Sequence, residues 1–487
     1  MNPNSKNKYL LKILDSDGRS LPNVGISKHA ISPNWNLKVH SASYSAIVKN
    51  QETDVWAENE YGETIIEGEK GVDDAKVIQS AVNTIGEGKI FVAKGTYKIT
   101  QKITCPAGII FEGEPGTTLD LTGLNDTAFE FNVGGEYVQK PTGLRYLTCE
   151  GKLNNTNLMI AKFENIGRSI VVEHLTLKNI PNGFELTSSC FDSVIRHIYC
   201  VSSKNIVKLT ATTTKPNNTL IDHIEISAGW GSILDGYLVY IDEGTQSVTI
   251  TDSWCEALTK GVVNYGLYTK IRGNTLSCTQ KCIEVGGDDV KIVDNTISPT
   301  GDGAIGIDFI TKNLRGKIIG NTFKSYSCDN VIFINNALTS DVYFEISSNY
   351  FRIEGTSSGC YCIKGRITLS QIVGNKFEDL AGGNTAMYFD YSVHNVIEGN
   401  SVEEFGTGIY KPNYSLVANN RMYNVTTPYT IVETNTYCDQ HLYTTLPDTT
   451  NSFVSDIFLN RPIHYYDGTN YYIAVWDGST WRKVQIS

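Results

Sequence analysis

The feature that most constrains this chain is a short phrase that returns about every 25 residues between positions 171 and 423. Each copy has an apolar residue, any residue, a small or acidic residue, Asn, any residue and a second apolar residue, as in Ile-Arg-Gly-Asn-Thr-Leu at 271–276. The repeated Asn are Asn274, Asn295, Asn321, Asn349, Asn375, Asn400 and Asn420. Upstream, the same column falls on His174, His197, His223 and Ser253. A repeat of this length indicates stacked units rather than one globular core.

Between the copies the chain shows short β-type runs and no helical periodicity. A leucine-rich horseshoe would need a Leu pattern that is absent. We therefore predict an all-β fold, a single-stranded parallel β-helix of about 11–14 coils with inward apolar side chains stacked from coil to coil. Asn suits the bends because it tolerates left-handed backbone geometry, and stacked Asn amides form a hydrogen-bonded ladder along the axis.

The charge balance excludes one class of partner. The chain has 41 basic and 52 acidic residues, a net charge of −11, and nucleic-acid binding needs a basic surface. No apolar stretch reaches the roughly 18 residues of a membrane span, so no membrane insertion is expected. Residues 1–14 are polar and basic and lack the apolar core of a secretory signal.

The 11 cysteines do not form a metal-type cluster, and their odd number argues against a disulfide framework in so long a chain. We interpret them as small residues that fill the interior of the coils. Zinc spacing, a phosphate loop and a nucleophile elbow are all missing from the sequence. The sequence thus predicts no cofactor and no metal.

Four regions follow from the pattern. They are a loosely structured attachment segment at 1–43, an N-terminal hairpin and capping helix at 44–88, the β-helix at 89–430 and a small C-terminal β module at 431–487. The helix is expected over Gly71–Ile85, with Asp73 or Asp74 as its cap. The C-terminal module holds two Asp-Gly turns between aromatic strands and is either a trimerising tip or a small glycan-binding module.

Three motifs near the N-terminus carry a family resemblance. Asp-Asp-Ala at 73–75, Lys-Gly-Thr-Tyr-Lys-Ile at 94–99 and Ile-Ile-Phe-Glu-Gly at 109–113 resemble the N-terminal signature of the pectate lyase superfamily of right-handed β-helices. In particular they resemble viral tailspikes and related virion proteins. The motif match covers about 73–125, and the repeat pattern extends it to 425. The resemblance implies a right-handed helix, a homotrimer, and contact with other virion or tail proteins through the N-terminal segment.

Candidate catalytic groups come from outward positions of neighbouring strands. Aligning the strand after each Asn places Glu284 and Asp308 on adjacent coils, offset by two residues, with backbones about 8 Å apart. That spacing suits an inverting glycosidase, in which one carboxyl is the acid and the other activates water. Asp288 and Asp289 weakly resemble the paired Asp of polygalacturonases, although the Asn-Thr-Asp and Gly-His-Gly partners of that family are missing.

Candidate sugar contacts combine aromatic and acidic side chains. The interval between His223 and Ser253 is the longest, so a protruding loop is expected within 222–256. The predicted substrate-binding residues are Trp230, Tyr240, Asp242, Trp254, Glu256 and Tyr388. The same residues are also ordinary for a solvated β surface, and both interpretations stay open. The Arg-rich motif of calcium-dependent pectate lyases is absent, which disfavours a lyase.

These observations predict a virion tailspike or spike protein, at the virion surface or otherwise extracellular, that binds a host cell-surface polysaccharide. Whether it also hydrolyses that polysaccharide stays open. One alternative is a non-catalytic receptor-binding or structural virion spike. The other is a cellular polysaccharide-degrading β-helix enzyme. Paired acids with one raised pKa favour hydrolysis, whereas an aromatic face without such a pair favours binding alone.

Overall fold

The computed structural model confirms the predicted parallel β-helix, with about 13 turns. The described residues are 44–132, 140–212, 214–227, 233–310, 315–326, 328–334, 343–355, 359–431, 436–438, 442–443, 458–467 and 469–486. The predicted attachment segment 1–43 and Trp230 lie outside them. Each coil gives one strand to each of three parallel ladders, called here the first, second and third sheets in chain order.

The first sheet contains the strands that precede the Asn bends. Its strands are Gly88–Val92, Ile109–Gly113, Thr142–Arg145, Gly167–Arg168, Ile170–Lys178, Cys190–Val201, Asn217–Ser227, Gln246–Thr251, Lys270–Arg272, Val290–Val293, Arg315–Ile319, Tyr343–Ser347, Gln371–Val373, Val396–Glu398, Leu416–Ala418 and Tyr437–Cys438. The strands Ile170–Lys178, Cys190–Val201 and Asn217–Ser227 continue through the bend into the second sheet.

The second sheet follows the bend. Its further strands are Thr96–Lys98, Thr118–Asp120, Thr148–Glu150, Trp254–Asn264, Thr275–Val285, Thr296–Pro299, Thr322–Ser325, Tyr350–Ile353, Lys376–Asp379, Ser401–Glu403 and Arg421–Tyr423. Trp254–Asn264 and Thr275–Val285 run on into the third sheet. The third sheet also contains Ile103–Cys105, Thr127–Asn132, Met159–Glu164, Asn182–Thr187, Asn205–Thr210, Leu234–Ile241, Ala304–Phe309, Cys328–Ile334, Tyr361–Thr368, Thr385–Val393, Thr407–Tyr410 and Thr427–Thr430.

A small cap closes the N-terminal end of the solenoid. The antiparallel strands Ala46–Gln51, Asp54–Asn59 and Thr64–Glu69 precede the helix Asp74–Ile85. The first of these strands pairs in parallel with Gly88–Val92 and so extends the first sheet by one strand. The helix buries one face, made by Ala75, Val77, Ile78, Ala81 and Val82. Among the described residues no helix is long and apolar enough to cross a bilayer.

The two Asp residues at the helix start do not cap it through their side chains, so that prediction is wrong. Asp73 Oδ2 instead accepts a hydrogen bond from the backbone N–H of Glu69, at 3.1 Å. Asp74 is fully buried, and its two oxygens accept from the N–H groups of Gly71 and Lys98, at 2.9 and 2.6 Å. The Asp74 carboxylate therefore links the start of the helix to the first coil, because hydrogen bonds from backbone amides to a charged acceptor are strong.

The Asn ladder is present from Asn274 to Asn420. Each Asn Oδ1 accepts from both the backbone N–H and the Nδ2 of the Asn one coil earlier, at 2.9–3.0 Å. Ser253 precedes the first amide, and its backbone N–H donates to Asn274 Oδ1. These side chains are almost fully buried. The ladder thus fixes coil register by satisfying buried amides at every bend.

Upstream of Ser253 the predicted column is wrong by one residue. Ile224 aligns with Ser253 in the strand register, and the Ile224 N–H donates a hydrogen bond to the Ser253 hydroxyl oxygen at 3.1 Å. His223 stands one position earlier, at the exposed left-handed residue of the bend, with φ of 50°. Three imidazoles on successive coils stack there, with ring centroids 4.7 Å apart for His174 and His197 and 5.0 Å apart for His197 and His223.

The interior is apolar and stacked, as predicted. Phe323, Phe351 and Phe377 lie above one another with centroids 4.6 Å apart and nearly parallel rings. The buried free thiols include Cys105, Cys149, Cys190, Cys200, Cys255, Cys278 and Cys282. Burial raises the pKa of Cys149 to about 12 and that of Cys190 to about 11. All seven cysteines are core residues.

The C-terminal module forms a separate small sheet. Pro462–Tyr466, Tyr471–Trp476 and Trp481–Ile486 are antiparallel, and Leu442–Tyr443 pairs in parallel with the first of them. The second predicted Asp-Gly turn is confirmed, since Asp477 Oδ1 accepts from the N–H groups of Ser479 and Thr480 at 2.9 Å.

Candidate functional site

Glu284 and Asp308 are direct neighbours in the third sheet. The two residues pair in register across adjacent coils, so the predicted offset of two residues is wrong. The predicted offset assumes that Ile305 and Ile307 are the inward residues of this strand. In the structure Ile307 and Phe309 fill the core instead, which places Asp308 beside Glu284. The structure therefore brings the two predicted catalytic carboxylates closer together than the sequence indicated. They are called the acid pair below.

Lys281 sits between the two carboxylates. Its Nζ lies 2.6 Å from Glu284 Oε2 and 2.6 Å from Asp308 Oδ2. Tyr265 donates its hydroxyl proton to Glu284 Oε1 at 2.6 Å, and Lys260 Nζ lies 3.7 Å from Glu284 Oε2. Both carboxylate side chains are only 6% exposed. The acid pair is thus a buried cluster in which Lys281 bridges both carboxylates and Lys260 forms a longer ion pair with Glu284.

The environment moves the two carboxyl pKa values in opposite directions. Burial raises the pKa of Asp308, and the hydrogen bond from Lys281 only partly offsets this. Burial also opposes ionisation of Glu284, but hydrogen bonds from Lys281 and Tyr265 outweigh it and lower the Glu284 pKa. Asp308 Oδ1 is buried without a hydrogen-bond partner among the described residues. Carboxyls separated in this way can act as a proton donor and an anion.

The spacing does not suit the predicted inverting chemistry. Two oxygens that each lie 2.6 Å from one nitrogen are at most about 5 Å apart, below the roughly 6.5–9.5 Å of inverting glycosidases. A separation of about 5 Å is instead typical of retaining glycosidases, in which one carboxylate is the nucleophile. A sugar reaches the acid pair only if Lys281 moves away.

Aromatic side chains flank the acid pair on the same sheet. On one side, Tyr240 lies with its ring centroid 5.5 Å from that of Tyr237 and 5.9 Å from that of Tyr265. Tyr240 is in register with Val263, which in turn pairs with Glu284. Asp242 follows the same strand, and its backbone N–H donates to Leu209. The predicted contacts Tyr240 and Asp242 therefore belong to the third sheet, next to the acid pair.

On the other side lies a row of half-buried tyrosines, Tyr361, Tyr388 and Tyr410, called here the tyrosine row. The rings of Tyr388 and Tyr410 stack at 4.7 Å with 8° between their planes. Lys364 Nζ lies 4.3 Å from the Tyr361 ring centroid and 5.8 Å from that of Tyr388. Lys364 is two coils beyond Asp308 in the same outward column. Sequence reasoning found only Tyr388, because Tyr361 is in register with Thr385 and the three tyrosines do not share one column.

A surface cavity of about 270 Å³ lies on the third sheet, on coils nearer the N-terminus than the acid pair. Its lining includes Asn182, Asn205, Lys208 and Tyr237. Asn205 Nδ2 donates to Asn182 Oδ1 at 3.0 Å, so the two amides are held in place. Both Asn residues lie three positions before the column that contains Lys208, on their respective strands. The third sheet therefore presents amides, lysines and aromatic rings in two neighbouring columns of outward residues.

Other predicted site residues lie elsewhere. Trp254 and Glu256 belong to the second sheet, where Trp254 pairs with Glu225 and is 49% exposed. The segment 222–256 therefore turns across three sheets and does not form one site in the described part of the chain. Trp230 belongs to this segment but is not among the described residues.

Asp288 and Asp289 lie at a bend after the third sheet, where Arg315 binds them. Arg315 Nη2 lies 2.8 Å from Asp288 Oδ2 and 3.7 Å from Asp289 Oδ2. The backbone N–H of Arg315 also donates to Asp288 Oδ1 at 2.7 Å. Burial opposes ionisation of Asp288, but these bonds outweigh it and lower its pKa. Asp288 is thus engaged in holding the bend, while the paired-acid chemistry is better placed at Glu284 and Asp308.

No family model matches the chain, and no curated protein matches it. Among solved structures it is similar to the Streptococcus pneumoniae surface protein and adhesin PfbA, with 15% identity, a TM-score of 0.44, and coverage of 75% of this chain and 97% of that one. It is also similar to the A-module of Azotobacter vinelandii mannuronan C-5 epimerase AlgE4, with 15% identity, a TM-score of 0.40, and coverage of 76% and 96%. A third is the tailspike protein gp49 from Pseudomonas phage LKA1, with 11% identity, a TM-score of 0.44, and coverage of 71% and 73%.

Proposed function

We propose that this chain is a spike protein of a virion surface that binds a host cell-surface polysaccharide along the third sheet. The observation that carries the proposal is that tyrosines, lysines and amides occupy two neighbouring columns of outward residues on that sheet. Sugar rings present C–H faces that pack on aromatic rings, and their hydroxyls take hydrogen bonds from amides and ammonium groups. A rigid row repeated from coil to coil suits a polymer with its own repeat.

The virion setting, the homotrimer and attachment through 1–43 belong to the same proposal. Their support is the resemblance of the motifs at 73–75, 94–99 and 109–113 to those of tailspikes. Asp74 gives two of these motifs a physical role, since its carboxylate joins the capping helix to the strand Thr96–Lys98 within 94–99. A non-catalytic spike and a cellular enzyme are the alternatives, and the tests below separate the non-catalytic spike from a hydrolase.

Replacing Tyr388 by alanine is expected to weaken binding to the recognised polysaccharide at least about fivefold, because its ring stacks on Tyr410 in the centre of the row. The measurement is surface plasmon resonance or calorimetry against a panel of purified microbial surface polysaccharides. Tyr423→Ala is the matched control, since Tyr423 is 51% exposed on the second sheet. Equal loss in both variants, or in neither, would contradict binding on the third sheet.

Hydrolysis at the acid pair is the second candidate, and the opposite pKa shifts of Glu284 and Asp308 favour it. If the chain cleaves the glycan, Glu284→Gln and Asp308→Asn are each expected to slow reducing-end release by about 10²–10⁴-fold. Glu345→Gln is the control, because Glu345 pairs with Lys317 on the first sheet.

The outcomes separate binding alone from hydrolysis. Release that either acid variant abolishes supports a hydrolase that uses the acid pair. Release that survives both variants places the chemistry elsewhere, whereas tight binding without release identifies a non-catalytic spike. Because both carboxylates are buried behind Lys281, binding is the first proposal and hydrolysis the second.

A further inference from the structure

We propose that Asp222, His223 and Asp252 form a binding site for a divalent transition-metal ion such as Zn²⁺, at the bend between the first and second sheets. Each residue offers one nitrogen or oxygen, and these atoms lie within 4.8 Å of one another. Imidazole and carboxylate are both ordinary zinc ligands, bound at about 2.0–2.2 Å. Small side-chain rotations therefore suffice to bring the three atoms around one ion.

The charge at this bend favours a cation. The two arginines nearest in register are directed to other acids: Arg196 Nη2 lies 2.7 Å from Glu173, and Arg272 Nε lies 3.6 Å from Asp294. Asp252 Oδ2 accepts only a neutral hydroxyl proton, from Thr251 at 2.8 Å. In the described part of the chain the two carboxylates thus face each other across His223 without a cationic side chain between them.

His223 turns one ring nitrogen toward a carboxylate of the proposed site. Its Nδ1 lies 2.5 Å from Asp222 Oδ1. A metal ion bound by both atoms would take the place of the proton in this hydrogen bond. The ring of His197 stacks 5.0 Å away on the neighbouring coil, which places a further imidazole beside the site.

Sequence spacing gave no sign of this site. His223 and Asp252 are far apart in the chain, and only the one-residue correction of the column places them on adjacent coils at the same left-handed position, with φ of 50° and 49°. That backbone geometry turns both side chains outward from the bend, where both are exposed. The nitrogen ligand distinguishes the site from calcium and magnesium sites, which prefer oxygen.

The test is calorimetric titration of the full-length protein, without a histidine tag, with ZnCl₂. One Zn²⁺ per chain is expected at this site, and His223→Gln and Asp252→Asn are each expected to weaken binding at least tenfold. His464→Gln is the matched control, because His464 is exposed on the C-terminal sheet. Circular dichroism verifies that each variant keeps its β-sheet content.

Three results would overturn the proposal. They are no Zn²⁺ bound at micromolar concentrations, unchanged affinity in both site variants, and equal weakening by His464→Gln. Competition supplies a further criterion: Ca²⁺ or Mg²⁺ that displaces Zn²⁺ at equal concentration would mark a carboxylate-only site and refute the role of the imidazole.

Discussion

Asn321→Ala is expected to lower the free energy of unfolding by about 3–6 kcal/mol, because it strands several buried polar groups at about 1–3 kcal/mol each. The Asn321 Oδ1 accepts from the N–H and the Nδ2 of Asn295, both at 2.9 Å. Its Nδ2 donates to the Ile292 carbonyl at 2.8 Å and to Asn349 Oδ1 at 3.0 Å. Alanine removes these partners in the middle of the ladder, where water has no access.

Urea unfolding followed by circular dichroism measures the effect. Asn83→Ala is the control, since Asn83 is exposed on the helix and only receives a hydrogen bond from Gln79. The control should change the free energy of unfolding by less than about 0.5 kcal/mol. A loss below about 1 kcal/mol for Asn321→Ala would show that the amide ladder is dispensable for stability.

Lys281→Gln is the second large change, with an expected loss of about 3 kcal/mol at pH 8, since it leaves two buried carboxylates without their shared cation. In the parent, burial opposes the charge of Lys281, but its bonds to Asp308 and Glu284 outweigh this and raise the Lys281 pKa. The lysine contribution is therefore complete below about pH 10.5 and is lost as the pH rises through the raised value.

The two acids give the pH dependence its sign. The lowered pKa of Glu284 contributes stability to the parent above pH 4.5, the ordinary pKa of this group. That contribution is lost as the pH falls through the lowered pKa. The raised Asp308 pKa acts oppositely, so that stability falls as the pH rises through it. Without Lys281 both carboxyl pKa values rise, and the deficit of Lys281→Gln is expected to shrink by about half at pH 4, where one proton relieves the repulsion.

Unfolding in urea at pH 8 and pH 4 tests this expectation. Lys317→Gln is the control, because Lys317 and Glu345 form an exposed pair, 52% and 37% exposed, worth less than about 1 kcal/mol at either pH. A deficit of equal size at both pH values would mean that Lys281 acts through packing and not through its charge.

The ladder could be predicted because one residue type, Asn, returns within the same short motif about every 25 residues. From Asn274 onward the interior amides repeat with every coil. Upstream, Leu175, Ile198 and Ile224 occupy the same interior column. In each of these coils an exposed His directly precedes the aliphatic residue, and the aliphatic residue type does not repeat as the Asn does. The sequence therefore could not show which of the two residues faces inward.

The acid pair was predicted, but its cation was not. Strict alternation along a strand would place Lys281 and Glu284 on opposite faces. Cys282 and Ile283, however, are both fully buried in succession, which breaks the alternation and returns both charged residues to the outer face. This break in the alternation depends on how neighbouring coils pack, and it cannot be predicted from the local sequence pattern. For the same reason the direct pairing with Asp308 escaped the alignment.

The buried thiols have a consequence for how the rod comes apart. Cys105, Cys149, Cys200, Cys255 and Cys282 lie at five different levels along the axis, all fully buried. An alkylating reagent needs physical access to the sulfur, and burial denies that access. Each cysteine therefore reacts only when its own coil opens. The order in which the cysteines are alkylated in dilute denaturant shows from which end the solenoid unfolds.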